Sequence, residues 1–214
     1  MTNILIYKFF LLELNTLLLF FFTSISLTLF PGPDILFVIS TSVQKGWKKG
    51  MKLSLGLTSG IIIHTLVVVL GLGTLLKHEP NVIRIIEISG ATYLIYLAIQ
   101  TWVNSIKNQN NSPKPSKNQN LFLTGFIMNL SNPKVSLFFL SFFPGFLFHH
   151  ELSYSLQFFI LGSIFFVQAL FIFASCSILA ARLGEKFKLS HRFSKWDKIQ
   201  SLILVIIALI LLYP

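Results

Sequence analysis

Six apolar stretches of roughly bilayer-spanning length divide this chain: residues 14–43, 53–76, 82–103, 121–148, 153–181 and a shorter one at 199–213. A spanning helix needs about 20 predominantly apolar residues. Backbone N–H and C=O groups in hydrocarbon find no water, so each segment must satisfy its own. Composition points the same way. Hydrophobic residues make up 54 % and charged residues only 11 %, where a soluble domain carries about 25 % charged residues. The 23 phenylalanines exceed the needs of an ordinary soluble core. The predicted fold class is all-α integral membrane, with six transmembrane helices.

A formal charge of +10 would suit a nucleic-acid partner if it formed one stripe. It does not. The basic residues alternate with apolar runs, as a membrane topology signal does. Lys45, Lys48, Lys49 and Lys52 follow the first stretch. Lys107, Lys114 and Lys117 lie in the polar linker after the third. Arg182, Lys186, Lys188, Arg192, Lys195 and Lys198 lie in the linker after the fifth. Only Lys8, Lys77 and Arg84 fall on the opposite side. The positive side is cytoplasmic, so both termini are expected on the outer, periplasmic side of a bacterial cytoplasmic membrane. The basic, aromatic-interleaved linker at 182–198 reads as an interfacial segment beside anionic headgroups. Its other reading is a calmodulin-like or nucleic-acid function. One cysteine, Cys176, allows no intrachain disulfide or thiol pair and reads as a small packing residue. Lys8 and Glu13 interrupt the first apolar residues and no small-residue cleavage site follows, so the opening is read as mature protein. Its first dozen residues are expected to be a loose extension.

The polar linker 105–120 separates residues 1–104 from residues 121–214, three stretches on each side. In each part the first stretch is broken, by Pro31-Gly32-Pro33 and by Asn129, Asn132 and Pro133. Three spans per unit insert the second unit upside down. Paired, interrupted helices in inverted repeats mark the substrate site of secondary transporters. Backbone freed at membrane depth is tolerated where protein or a watery cavity satisfies it. The plainer reading is a pair of proline kinks. Asp34 follows Pro33 in the first turn of the restarted helix, where it either meets that helix's free N–H groups or serves cargo and protons. Lys134 follows Pro133. It either snorkels or pairs permanently with Asp34, or the two supply opposite charges to a zwitterion. Gly56, Gly60 and His64 share one helix face at spacing four. That face suits close helix packing, with His64 a packing residue or a proton relay. His149, His150 and Glu151 sit in an outer loop and read as solvated residues. No catalytic constellation, metal-ligand cluster or cofactor motif appears, so the chain reads as no enzyme. Nothing decides between a monomer and a homodimer.

Two of these segments carry a resemblance. "LTLFPGPDILFVISTSVQKGWKKGMKLSLGLTSG" followed by "GLGTLL" resembles the first-half signature of the lysine exporter (LysE) superfamily, and is especially similar to its homoserine/threonine resistance (RhtB-type) branch. "GFIMNLSNPKVSLFFLSFFPGFL" resembles that family's second-half motif. Pro31, Gly32, Pro33 and Asp34 match the first motif, Gly46, Gly50, Gly56 and Gly60 its glycine series, and Asn129, Asn132, Pro133 and Lys134 the second. Lys48 and Lys49 stand where many relatives carry arginines. The resemblance implies an inner-membrane exporter of amino acids or close derivatives, with about six spans and proton-motive-force coupling. Its rivals are a transporter of a metal cation or another small metabolite, and a non-transporting membrane scaffold.

Overall fold

A computed structural model describes residues 2–29, 32–78, 82–106, 120–149 and 151–183, with a few positions towards the C-terminus (198, 201–202, 205–206 and 208–209). These residues form helices and turns, and no strand occurs among them. In order they are α1 (Thr2–Leu29), α2 (Pro33–Lys45), α3 (Trp47–Val67), a π-helical turn Val68–Leu72, α4 (Gly73–His78), α5 (Val82–Ile106), α6 (Leu121–Leu130), α7 (Pro133–Leu137), a second π-helical turn Phe138–Phe142, a 3-10 turn Phe143–Phe146, and α8 (Tyr154–Leu183). Helix α1 already runs from Thr2, so the opening residues are helical rather than a loose extension.

The breaks fall where backbone chemistry puts them. Pro33 and Pro133 each sit at the start of a helix, where a missing N–H costs nothing and the fixed φ suits the first turn. Helices α1 and α2 meet at a bend of 56°. Asn120 caps α6 through the Leu123 N–H, and Asn132 caps α7 through the Lys134 N–H at 3.0 Å. Gly46 turns the chain between α2 and α3 at φ 84°, a region that favours glycine. Two unbroken helical stretches, Trp47–Leu76 and Tyr154–Leu183, are long and apolar enough to cross a bilayer, and the bent pair α1–α2 makes a third. Helices α5 and α6 carry shorter apolar stretches, and residues 199–213 lie mostly outside the described residues.

Helix α3 runs through the centre. It packs against α2, α6 and α8, while α1 and α2 lie along α8. The α3–α6 crossing is backbone on backbone. A Cβ on Gly56 would collide with the Phe122 carbonyl, and one on Gly125 with the Leu53 carbonyl. Gly162 admits Thr65 at the α3–α8 crossing, and Gly90 seats α5 on Ser141 of the second π-turn.

Around that turn the phenylalanines gather. Phe20, Phe138, Phe139, Phe142, Phe143 and Phe158 are fully buried. Phe139 stacks on Phe143 at 4.3 Å, and Phe20 meets Phe143 edge-on at 5.4 Å. The outward faces are apolar as well, with Phe171 73 % and Leu70 70 % exposed, as contact with lipid tails demands.

Near the start of α8, Gln157 accepts from the Phe148 and His149 N–H groups and donates to the His149 and Leu152 carbonyls. His149 is half-buried rather than merely solvated. Its Nδ1 accepts from the Glu151 and Leu152 N–H groups, and its Nε2 lies 3.5 Å from Glu13 on α1. Glu151 is exposed, and His150 lies outside the described residues.

Candidate functional site

The two breaks meet. Asn132 Nδ2, from the second, donates to Asp34 Oδ2, from the first, at 2.8 Å. Asn132 Oδ1 accepts from the Lys134 N–H, so one side chain caps α7 and grips α2. Asp34 is placed by the first turn of α2, but its resolved bond goes to Asn132 and α2 has no side-chain cap. Lys134 Nζ donates to the Leu27 carbonyl, near the end of α1, at 2.8 Å. Its charge and that of Asp34 act on one another.

Counting back along the helices explains where these groups go. In a helix the carbonyl of residue i accepts from the N–H of i+4. Pro31 would be the partner of Leu27 and Pro133 the partner of Asn129, and proline has no N–H to give. Each proline therefore leaves a carbonyl short of its donor. Lys134 covers the first, with the ammonium at the negative end of α1. At the second, the Asn132 N–H turns in at 3.0 Å and His64 Nε2 lies 3.4 Å away. A carbonyl only accepts, so His64 carries its proton on Nε2 in that contact. His64 also stacks on Phe139 at 5.4 Å.

Gly60, on the same face of α3, abuts the Asn129 side chain, where an added Cβ would lie 2.8 Å from Asn129 Cβ. Gly56, one turn earlier, abuts α6. The face predicted from the spacing of Gly56, Gly60 and His64 thus lies against α6 throughout.

A cavity of about 30 Å³ opens between the breaks, lined by Gly32, Asp34, Asn129, Asn132 and Lys134 together with Leu27 and Thr28 from α1 and apolar residues of α8. That is room for a water or two and not for an amino acid. Of the residues singled out in the sequence, Gly32, Asp34, Asn129, Asn132 and Lys134 line it. Pro33 and Pro133 flank it by starting α2 and α7. His64, Gly60 and Gly56 support it from behind. Pro31 lies outside the described residues.

Sequence reasoning missed two side chains beside the site. Thr28, in the cavity wall, donates to the Ser24 carbonyl and accepts from Gln168 Nε2 at 3.0 Å. Gln168 is a buried amide in the middle of the mostly apolar α8, and an interior amide in a spanning helix was the signal that could have found it.

A family model described as LysE type translocator matches residues 25–214. A homoserine/homoserine lactone efflux protein of Salmonella typhimurium (strain LT2) is 31 % identical over 168 residues, covering 78 % of this chain and 81 % of that protein. The protein of the same description from Salmonella typhi matches to the same extent. No solved structure matches the chain.

Proposed function

Because this chain belongs to the LysE type translocator family, we propose that it exports amino acids or close derivatives through the junction of its two broken spans, driven by the proton motive force. It is a multi-pass protein of the bacterial cytoplasmic membrane, a transporter of small molecules and not an enzyme. Its relatives' printed cargo, homoserine and homoserine lactone, makes small polar amino acids the first class to test here.

One observation carries the reading: opposite charges from the two breaks, Asp34 and Lys134, line one cavity among backbone groups that the prolines have released. Cargo binds with its ammonium towards Asp34. A carboxylate, where the cargo has one, faces Lys134. The gating elements are two inverted three-helix repeats, residues 1–104 and 121–214, joined by the cytoplasmic linker 105–120, with both termini periplasmic. Reciprocal packing supports this arrangement. Helices α3 and α8 lie against each other, α3 packs on the second broken span, and α8 packs on the first. Rocking of one repeat against the other then alternates access.

The test is a panel of labelled amino acids loaded into cells with and without the protein. Faster loss of at least one, abolished by Asp34→Ala at normal membrane abundance, is the expected result. Equal retention of every compound sinks the reading.

A further inference from the structure

Along the helix axes the cavity between the breaks has unlike seals at its two ends. Towards the start of α8 it is closed by phenylalanine. Phe165, in the cavity lining, meets Phe138 and Phe139 at 5.2 and 5.3 Å. Phe139 stacks on Phe143, which meets Phe20 and Phe158 in turn. Close-packed rings of this kind open only if several move together. The other seal is thin and polar. Helix α2 holds Asp34 at the cavity, and Thr41 and Ser42 follow two turns further on, about 12 Å along its axis. Seven residues from Asp34, Thr41 keeps to the same helix face. It is fully buried, and its hydroxyl has no partner in the protein. Ser42 reaches across to the second half of the chain, where its Oγ donates to Ser177 Oγ on α8 at 3.1 Å. Ser177 Oγ donates to the Trp47 carbonyl, at the start of α3, at 2.8 Å. Gly50 of α3 completes the layer. A Cβ there would collide with both hydroxyls and lie 3.0 Å from Ser42 Cβ, so the layer closes only around glycine. Lys45, Lys48 and Lys49 stand at the same end of these helices.

We propose that the layer of Ser42, Gly50 and Ser177 is the gate between the cavity and the lysine-bearing face, and that cargo enters by parting α2 from α8 there. This rests on the exporter reading above, in which that face is cytoplasmic. The hydrogen bonding makes the layer easy to open. Ser42 has one O–H, shared between Ser177 Oγ and the Val38 carbonyl, which lies nearer, at 2.7 Å. As the helices part, that O–H settles on Val38 and the Ser177 O–H stays on Trp47. No buried donor is left bare, which is the costly outcome. Beyond the gate, the Thr41 hydroxyl offers a polar cargo both a donor and an acceptor on the way to Asp34. Ser42 belongs to residues 1–104 and Ser177 to residues 121–214, so opening the layer moves one half of the chain against the other. The phenylalanine side stays shut meanwhile, as alternating access requires.

The test uses the full chain with Cys176→Ala, which removes its one native thiol. Ser42→Cys together with Ser177→Cys puts two sulfurs where the hydroxyls lie 3.1 Å apart, close enough to bond on mild oxidation. With a compound that the amino-acid panel shows to be exported, oxidation is expected to stop efflux and a reductant to restore it. Either substitution alone is expected to lose nothing on oxidation. In the chain with Ser177→Cys alone, a membrane-impermeant maleimide is expected to react from the lysine-bearing face and not from the other. Adding Gly50→Ala, which pushes the layer apart, is expected to speed that reaction about threefold or more, the worth of the one hydrogen bond lost. Export that continues through the cross-linked chain overturns the gate and leaves the exporter reading standing. So does reaction from the opposite face, or a folded Gly50→Ala variant that reacts no faster. Should the paired variant fail to fold or to link, the maleimide reaction decides alone, and should Gly50→Ala lose its fold, the face of reaction decides. A panel in which no compound is exported brings down the exporter reading and this gate with it.

Discussion

Lys134 joins the two breaks with one side chain. Its ammonium covers the Leu27 carbonyl and balances the charge of Asp34. Lys134→Ala leaves a buried carbonyl bare and a buried carboxylate without its counter-charge, so efflux is expected to vanish while membrane abundance holds. Export measured beside an immunoblot checks it, and efflux surviving at normal abundance takes Lys134 out of the site. Asn132→Ala acts differently. It strips Asp34 of its donor and α7 of its cap, and is expected to lower stability by about 1–3 kcal/mol, read as a fall in melting temperature in detergent. Much of this site was legible in the sequence. A charge straight after the last proline of each break marked the place, and Pro31 and Pro133 name the carbonyls they orphan by a count of four. What could not be read was the exchange of partners. That the ammonium takes Leu27 and the amide takes the carboxylate depends on how far apart the two breaks lie, which local sequence does not encode.

Among the helices, closeness of approach is set by glycine. Gly56 and Gly125 face the opposing backbone itself at the α3–α6 crossing, where nothing flexible can yield. Gly56→Val and Gly125→Val are each expected to force the helices apart at a cost of about 1–3 kcal/mol, in the range of other overpacked sites. Gly71 is the control. A Cβ there meets nothing within 4 Å, and Gly71→Ala should leave the melting temperature in detergent unchanged. Equal loss for all three variants would mean that the crossing is looser than its geometry. The spacing of small residues on α3 gave the packing face in advance, because a period of four is a local property. The π-helical turns at Val68–Leu72 and Phe138–Phe142 were not legible. Both lie inside apolar runs, and an extra residue in a turn leaves the hydropathy pattern unchanged. Nothing in the sequence said which way the Phe-rich run at 138–146 faces. In the fold it packs inwards around Phe20, Phe158 and Phe165, a choice made by neighbours far away in the chain.

For the molecule as a whole, hydropathy located the long helices and the breaks in the first and fourth stretches, since both follow from length and from proline. It could not say which helix packs on which. The sixth stretch and the sidedness of the termini still rest on apolar length and on the placement of lysine and arginine. One dimension of the fold has a physiological consequence. A chamber of about 30 Å³, crossed by two bonds between opposite breaks and holding a fixed ammonium, offers ions no continuous file of water. With nothing aboard, the carrier is expected to hold ions back. A cell can keep many copies in its energised membrane without short-circuiting its own proton gradient, and vesicles bearing the idle protein should hold an imposed pH difference as long as bare ones.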